Sequence, residues 1–534
     1  MFQMIQILFQ KWKTFLKLWF SAVAVQILFY QYFSNEDKSQ HLENSMRISR
    51  HIDHFQVNWC RVRRARVDLD SLLRPCFYNV SWNGESPNRQ LQTDAAKSLI
   101  SFFDIRPAGQ FSRFSIQTKT RDGKLKLIGG DSWRVLLRGP ATVSPTAFDH
   151  GNGTYEFLFL VMDPGVYKLD ITLDYSLCDG YRDPPKNWFI VGNSHGKVQK
   201  DGTLGVNRAK EDYLLQPFHN GKLLMISVPL PSDGGTHLIN RLSRRSDSAN
   251  VSFGLDLSCG MKCNFMWDGL GRWLGKNWKP YLRGISNDPQ LKTLSSPGPK
   301  LQTLWIFGDS QAERLYLSIK NGTLCKEIFK TCNLTKMWTY AWPSVTPVAW
   351  DDKDFNPQQV VDLVRRVLEK PEMNENSAMV LNLGLHYIES TSLANYRQLL
   401  NGVIDLLNER NAETGDSKHK ARIIWKTTTS MNKEKDTGSR LKSDWQRFLN
   451  LPRVGLYNAL ATSLMCGAGL EVLDVYPFTR SYPGGTGGPD VAHYKEHDTV
   501  HFKYLAMKPL DLFLEDYFLG KVPLPIDLQN YQFS

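Results

Sequence analysis

From residue 299 onward, short apolar runs alternate with amphipathic stretches, and this rhythm narrows the available folds most. Leu301 to Phe307 and Ala378 to Leu383 are apolar-rich runs, and Ala421 to Thr427 and Leu470 to Val475 repeat the pattern. A strand that is apolar on both faces belongs inside a parallel sheet covered by helices. Between the runs lie segments with helical spacing: Gln311 to Ile319, Val360 to Leu368, Leu393 to Leu407 and Gly455 to Met465. Leu505 to Leu519 closes the chain in the same way. This succession predicts an α/β doubly wound domain over 299–525.

Residues 95–175 follow a different rule. Phe111 to Thr118 alternates apolar and polar residues, Asp122-Gly123 supplies a turn, and Lys124 to Ile128 alternates again. Trp133 to Leu137, Phe157 to Val161 and Val166 to Leu173 add further short strands. Several short strands at this spacing predict an immunoglobulin-like β-sandwich. Glycines at 151 and 153 allow a tight turn that points Tyr155 into the core. The polar, Arg-rich residues 34–94 read as a stalk and lead-in. The Trp/Gly-rich residues 176–298 read as a connector whose strands pack on one or both domains. A chain of 534 residues has room for this multidomain plan.

The N-terminus and the cysteines address the compartment. Lys11, Lys13 and Lys17 precede an apolar run from Leu18 to Phe33, ~24 Å long as a helix at ~1.5 Å per residue. The positive-inside rule puts residues 1–17 in the cytosol and the bulk in the lumen. Two readings stand: an uncleaved signal anchor over 18–33, or a signal peptide cleaved near Ala22 and Ala24. Asn79, Asn152, Asn250, Asn321 and Asn333 each open an N-glycosylation sequon. The eight cysteines include no CxxC pair and no Cys/His spacing suited to zinc, so no metal is expected and disulfides are. Cys325 with Cys332 and Cys259 with Cys263 are candidate local pairs. Cys60 and Cys76 are further candidates, and spacing leaves the connectivity open. The formal charge of +12 favours anionic partners, but the basic residues form no tract, so nucleic acid is not expected.

Three motifs fall at the ends of the expected parallel strands, where such sheets place their sites. Gly308-Asp309-Ser310 follows the first run and opens a helix, where free N–H groups can stabilise an oxyanion. A plain helix cap would also explain that serine. Asn382-Leu383-Gly384 ends the second run, where an amide could donate to the same oxyanion or simply supply loop polarity. Asp498-Thr499-Val500-His501 precedes the last helix and offers a base with its orienting acid. A second copy, Asp490 to His493, is the alternative source of the histidine.

The order Gly-Asp-Ser, Asn-x-Gly, Asp-x-x-His resembles the SGNH superfamily, and within it the PC-esterase branch. That branch includes plant trichome-birefringence-like polysaccharide O-acetyltransferases and an animal sialic acid O-acetyltransferase. The string Asp149-His150-Gly151-Asn152-Gly153-Thr154-Tyr155, with Pro164-Gly165 after it, resembles the filamin-type immunoglobulin repeat and the neurexophilin-like domain. Together the two parts resemble the NXPE family (neurexophilin and PC-esterase domain proteins). The resemblance implies Ser310 as nucleophile, His501 as base and Asp498 as its partner. Ser310, Asn382, Gly384 and Arg314 would contribute to the oxyanion site. The branch carries an arginine three residues after its serine; here Glu313 stands there and Arg314 follows. Trp278-Lys279-Pro280 fits the branch's Trp-x-Pro element, but the cysteine that ends the element there does not follow before Ser310 here. The implied activity is O-acetyl transfer to sialic acid or another acidic glycan in the Golgi lumen. No cofactor would be bound, and acetyl-CoA would be the possible acyl donor. A silent glycoprotein ligand, secreted or membrane-held, and a carboxylester hydrolase are the alternatives.

Overall fold

The computed structural model describes residues 50–82, 87–185, 203–206, 208–231, 259–281, 300–337, 356–435, 446–487 and 497–521, with Trp12, Trp188 and Asp444 besides. Residues 18–33, Asn250, Asp490 and His493 lie outside them. Among the described residues no helix is long and apolar enough to cross a membrane.

The apolar runs of the C-terminal half form the interior of a six-stranded, all-parallel sheet. Its order is Asn264–Trp267, Glu471–Leu473, Arg422–Lys426, Ala378–Leu381, Leu301–Gly308 and Phe329–Lys336. Side chains alternate between two cores, as the two-residue period of a strand requires. Leu304, Ile306, Val380 and Ile424 pack with the helices Ser310–Ile319 and Lys508–Phe518. Trp305, Phe307, Met379 and Trp425 pack with the helices Gln358–Leu368, Leu393–Leu407 and Leu451–Gly467. This is an α/β domain with helices on both faces. The edge strand Phe329–Lys336 was not expected: Thr331, Asn333 and Thr335 make it polar, with no apolar run to betray it.

The N-terminal half contains two antiparallel sheets around a shared core, an immunoglobulin-like β-sandwich. One sheet runs Leu99–Asp104, Phe111–Gln117, Thr154–Leu160, Thr146–Asp149. In the other, Ser132–Arg138 pairs with Gly165–Tyr175 at its centre. Phe114, Tyr155 and Phe157 from the first meet Trp133, Leu137 and Ile171 from the second. The Gly-x-Gly turn behaves as read: Gly151 and Gly153 have φ of +73° and +82°, and Tyr155 is buried. Lys124 to Ile128 does not form the expected strand. Only Leu125 bridges, to Lys119, and Leu125, Leu127 and Ile128 are exposed.

The segment read as a connector is structural in both domains. Gln216–Pro217 and Met225–Val228 extend the second sandwich sheet along Gly165–Tyr175. The hairpin Gly271–Leu274 with Asn277–Pro280 adds to the same sheet through Thr142. Asn264–Trp267 instead joins the parallel sheet beside Glu471–Leu473. Hairpin residue Trp273 is packed on Phe478 and Tyr482 of the α/β domain, and its Nε1–H donates to the Phe478 carbonyl at 3.0 Å.

The described part of the expected stalk is also packed. Residues 50–64 are helical, and Phe55, Trp59 and Val62 bury one face. The arginines that suggested a solvated stalk meet distant carboxylates. Arg61 pairs with Glu156 of the sandwich at 2.9 Å, and Arg66 with Asp474 of the α/β domain at 3.0 Å.

All eight cysteines are paired: Cys60–Cys259, Cys76–Cys178, Cys263–Cys466 and Cys325–Cys332. Cys259 and Cys263 do not pair with each other, nor do Cys60 and Cys76. Cys259 faces the N-terminal helix, whereas Cys263 lies beside the edge strand against the end of the Leu451–Gly467 helix. Such bonds persist in an oxidising secretory or extracellular environment. Asn152 and Asn321 are exposed, while Asn79 and Asn333 are half-buried.

Trp273 is 1% exposed and carries the contact between hairpin and α/β domain. Trp273→Ala is expected to lower stability by about 3–5 kcal/mol, the usual cost of truncating a buried aromatic. Denaturant unfolding under non-reducing conditions measures it.

Candidate active site

The site grows out of the sheet's strand order. Leu301–Gly308 lies between the two strands that follow it in the chain, Phe329–Lys336 and Ala378–Leu381, so the chain leaves it in both directions. The C-terminal ends of Leu301–Gly308 and Ala378–Leu381 therefore flank a crevice, the usual place for a site in such sheets. Gly308 makes the exit from the first strand possible. A Cβ there would lie 2.9 Å from both the Asn382 carbonyl oxygen and Ala312 Cβ.

Asp309 caps the following helix and ties the two strand ends together. Its carboxyl accepts from the Gln311 N–H at 2.8 Å and the Leu385 N–H at 3.2 Å, and the residue is buried. Ser310 is the first helical residue, so its N–H has no acceptor within the helix.

Ser310 Oγ lies 2.7 Å from His501 Nε2, and His501 Nδ1 lies 2.8 Å from Asp498 Oδ2. The second carboxylate oxygen of Asp498 accepts from the N–H groups of Val500 and His501, each at 2.8 Å. Burial acts to raise the Asp498 pKa, but these bonds and the imidazole outweigh it and hold the carboxyl below its ordinary range. An ionised carboxylate only accepts, so Nδ1 carries the imidazole proton and Nε2 is left to accept from the Ser310 hydroxyl. The His501 side chain is 22% exposed, so the pair opens to solvent.

Several groups fix the histidine loop. Gln311 Nε2 donates to the Val500 carbonyl at 2.6 Å, joining the serine helix to it. Thr486 Oγ1 donates to the Asp498 carbonyl at 2.7 Å. A strut also arrives from the sandwich. Arg134 pairs with Asp174 at 3.0 Å and with Glu434 at 3.1 Å. Glu434 accepts from Asn432 Nδ2 at 3.0 Å, and the Asn432 N–H donates to the Thr499 carbonyl at 2.8 Å.

The remaining expected residues are placed as follows. Asn382 is buried in the crevice, but its Nδ2 donates to the Lys426 carbonyl at 2.9 Å and to Thr428 Oγ1 at 3.4 Å. Its amide thus braces the neighbouring strand instead of standing free for an oxyanion. Gly384 precedes the Leu385–Ser390 helix, and a Cβ there would clash with Thr428 Oγ1 and lie 2.8 Å from Asn382 Oδ1. Arg314 is buried on its helix, whereas Glu313 pairs with Lys336 at 2.8 Å. The motifs did not single out Gln311, Thr428 or Lys426. Lys426 is fully buried beneath the crevice, donates to the Thr427 carbonyl at 3.1 Å, and is pushed down to about 8 by burial, against the pull of Asp309. No motif marks these residues; only a lysine and a threonine at the end of an apolar run would have drawn attention to them.

No family model matches the chain. Among solved structures, the Lin-41 filamin domain aligns at 20% identity over 15% of this chain and 80% of its own, with a TM-score of 0.14. A second solved chain aligns at 12% identity over 42% of this chain and all of its own, with a TM-score of 0.28.

Because the Asp498 pKa is lowered on folding, its contribution to stability is complete above the unfolded value and is lost as pH falls through the folded one. The stability difference between wild type and Asp498→Asn should therefore be largest near neutrality and narrow below about pH 4. Thermal unfolding across pH measures this; a constant gap would contradict it. Gly384→Ala should destabilise by about 1–3 kcal/mol through overpacking against Thr428 and Asn382. Chemical denaturation reads that loss.

Proposed function

We propose that this chain is a serine acyl-enzyme of the SGNH/PC-esterase kind, similar to the NXPE family. It transfers an acetyl group to a hydroxyl of sialic acid or another acidic glycan in the secretory pathway. The observation that carries the reading is the unbroken line from Ser310 Oγ through His501 to Asp498, with both links between 2.7 and 2.8 Å.

In the first half-reaction the Ser310 hydroxyl proton passes to His501 Nε2 as Oγ attacks the acyl carbonyl. Asp498 stabilises the imidazolium without taking its proton. The negative charge on the former carbonyl oxygen meets the Ser310 N–H and the helix dipole. His501 then returns its proton to the leaving group, and the acetyl is left on Ser310. In the second half His501 takes the proton of a sugar hydroxyl, whose oxygen attacks the acetyl-serine. Breakdown returns the proton to Ser310 Oγ and releases the O-acetylated glycan. Acetyl-CoA, a thioester, is the class of donor proposed.

Hydrolysis is the second reading, favoured by the solvent exposure of His501, since water can replace the sugar hydroxyl in the same steps. Residues 18–33 would hold the protein to the Golgi membrane with its domains in the lumen, or would be removed on secretion.

A fluorophosphonate probe should label Ser310, seen as an adduct on its peptide, and Ser310→Ala or His501→Ala should prevent labelling. Acetyl turnover should fall by about 10³-fold or more in either variant. Equal glycan acetylation by wild type and Ser310→Ala, in cells lacking other transferases, would overturn the proposal.

A further inference from the structure

The segment Lys124 to Ile128 faces the opposite way from what its pattern suggests. Alternation would turn its leucines to the core, yet Lys126 is 2% exposed while Leu125 and Leu127 are 57% and 76% exposed. A buried ion pair fixes this orientation. Lys126 Nζ donates to Asp131 at 2.6 Å, to Thr93 Oγ1 at 2.9 Å and to Ser176 Oγ at 3.2 Å, and Asp131 is itself buried. With Lys126 drawn inward, the side chains before and after it turn outward. Ile128 is exposed as well, so three aliphatic side chains within four residues face solvent. An apolar surface cluster calls for a cover, where a single exposed side chain does not.

This segment lies against the turn that carries Asn152. The Lys126 N–H donates to the Thr118 carbonyl at 3.0 Å, and the Thr118 N–H donates to the Gly153 carbonyl at 2.9 Å. Gln117 Nε2 donates to the Lys126 carbonyl at 3.0 Å, and Gln117 Oε1 accepts from Thr154 Oγ1 at 2.8 Å. Gly153 is so close that a Cβ there would overlap the Lys126 carbonyl oxygen.

Asn152 is the neighbour of Gly153, is exposed, and opens the sequence Asn-Gly-Thr. Its Oδ1 accepts from the Thr154 N–H at 3.0 Å, which holds the side chain to its own turn. A Cβ at Gly151 would meet nothing within 4 Å, so the turn has open space beside it. Asn321 also is exposed, but it follows the helix Ser310–Ile319 in the other domain.

We infer that Asn152 carries an N-linked glycan whose inner sugars cover Leu125, Leu127 and Ile128. The C–H faces of the pyranose rings lie on the aliphatic side chains and the hydroxyls face water, so a solubilising chain takes the place of apolar surface. In forming the link, Nδ2 bonds to C1 of the first N-acetylglucosamine and the C1–O bond to a lipid diphosphate breaks. The diphosphate leaves with the bonding pair, and the amide gives up one proton. The donor is a lipid-diphosphate oligosaccharide of the secretory pathway, the environment that the four disulfides fit. The inference stands apart from any chemistry at Ser310.

The test uses the full chain expressed in animal cells. Peptide mapping after enzymatic deglycosylation in heavy-oxygen water should find Asn152 converted to labelled aspartate in most chains. Binding of an apolar dye should rise by about twofold or more in Asn152→Gln. It should not rise in Asn321→Gln. Adding Leu125→Ser and Leu127→Ser to Asn152→Gln should return dye binding to the wild-type level. Thermal unfolding of each variant checks that it folds. An unmodified Asn152, unchanged dye binding in folded Asn152→Gln, or a rise that the two serine substitutions leave in place would each overturn the inference. So would a self-association of the wild type that buries the patch and persists in Asn152→Gln.

Discussion

The site hangs on one buried carboxyl. Asp309 caps the serine helix and reaches across the crevice to the Leu385 N–H. Each bond alone is worth only about 1 kcal/mol, rising to a few when one partner is charged. Their value is geometric: the two strand ends at the reversal of sheet order cannot part without leaving a buried acceptor unmatched. Lys426 supplies compensating positive charge below. Gly308 and Gly384 let the two backbones approach closely enough for Asp309 to span the gap. The hydroxyl of Ser310 is thus aimed by its neighbour in sequence, and the helix dipole then acts on a fixed target.

How much of this could be read from residues alone depended on how local each signal was. The strands Leu301–Gly308 and Ala378–Leu381 were legible because burial on both faces leaves continuous apolar runs. The meeting of Ser310, His501 and Asp498 was legible because Asp498 and His501 sit within one turn of each other, and Ser310 follows a strand directly. The hairpin at 271–280 was not, because four-residue strands carry too little pattern to say which sheet they join. Asn264–Trp267 joins one domain and Gly271–Leu274 the other, with only three residues between them. The 50–64 helix was misread as a stalk because its arginines look solvated until Glu156 and Asp474 are brought beside them. Disulfides followed the same rule. Cys325 and Cys332 are seven residues apart, whereas the other three bonds close spans of 102 to 203 residues. Asn382 was placed correctly in the crevice, yet its amide serves the adjacent strand, a partner that only the sheet order reveals.

The two domains share more than a linker. Cys60–Cys259 binds the N-terminal helix to the chain just before the parallel edge strand. Arg61 on that helix and Arg66 just beyond its end grip one carboxylate from each domain. Trp273 belongs by hydrogen bonding to the sandwich and by packing to the α/β core. The Arg134–Glu434–Asn432 strut then carries the sandwich to within one residue of Asp498. A sandwich joined in this way supports the base loop from outside, where a free-standing α/β domain would need its own loops to do so.

On the proposed chemistry, the fate of an acetyl-serine turns on competition between a bound hydroxyl and water. Water reaches His501, and its concentration is fixed. A sugar hydroxyl wins only if its effective molarity at Oγ exceeds that of the solvent, and oriented neighbours can reach 10⁵ M or more. Transfer therefore needs contacts that hold the glycan away from the reacting atoms as well as at them. The partly exposed triad supplies few such contacts of its own. On that chemistry, the groups that line the crevice beside Ser310 decide whether a sugar hydroxyl or water attacks first.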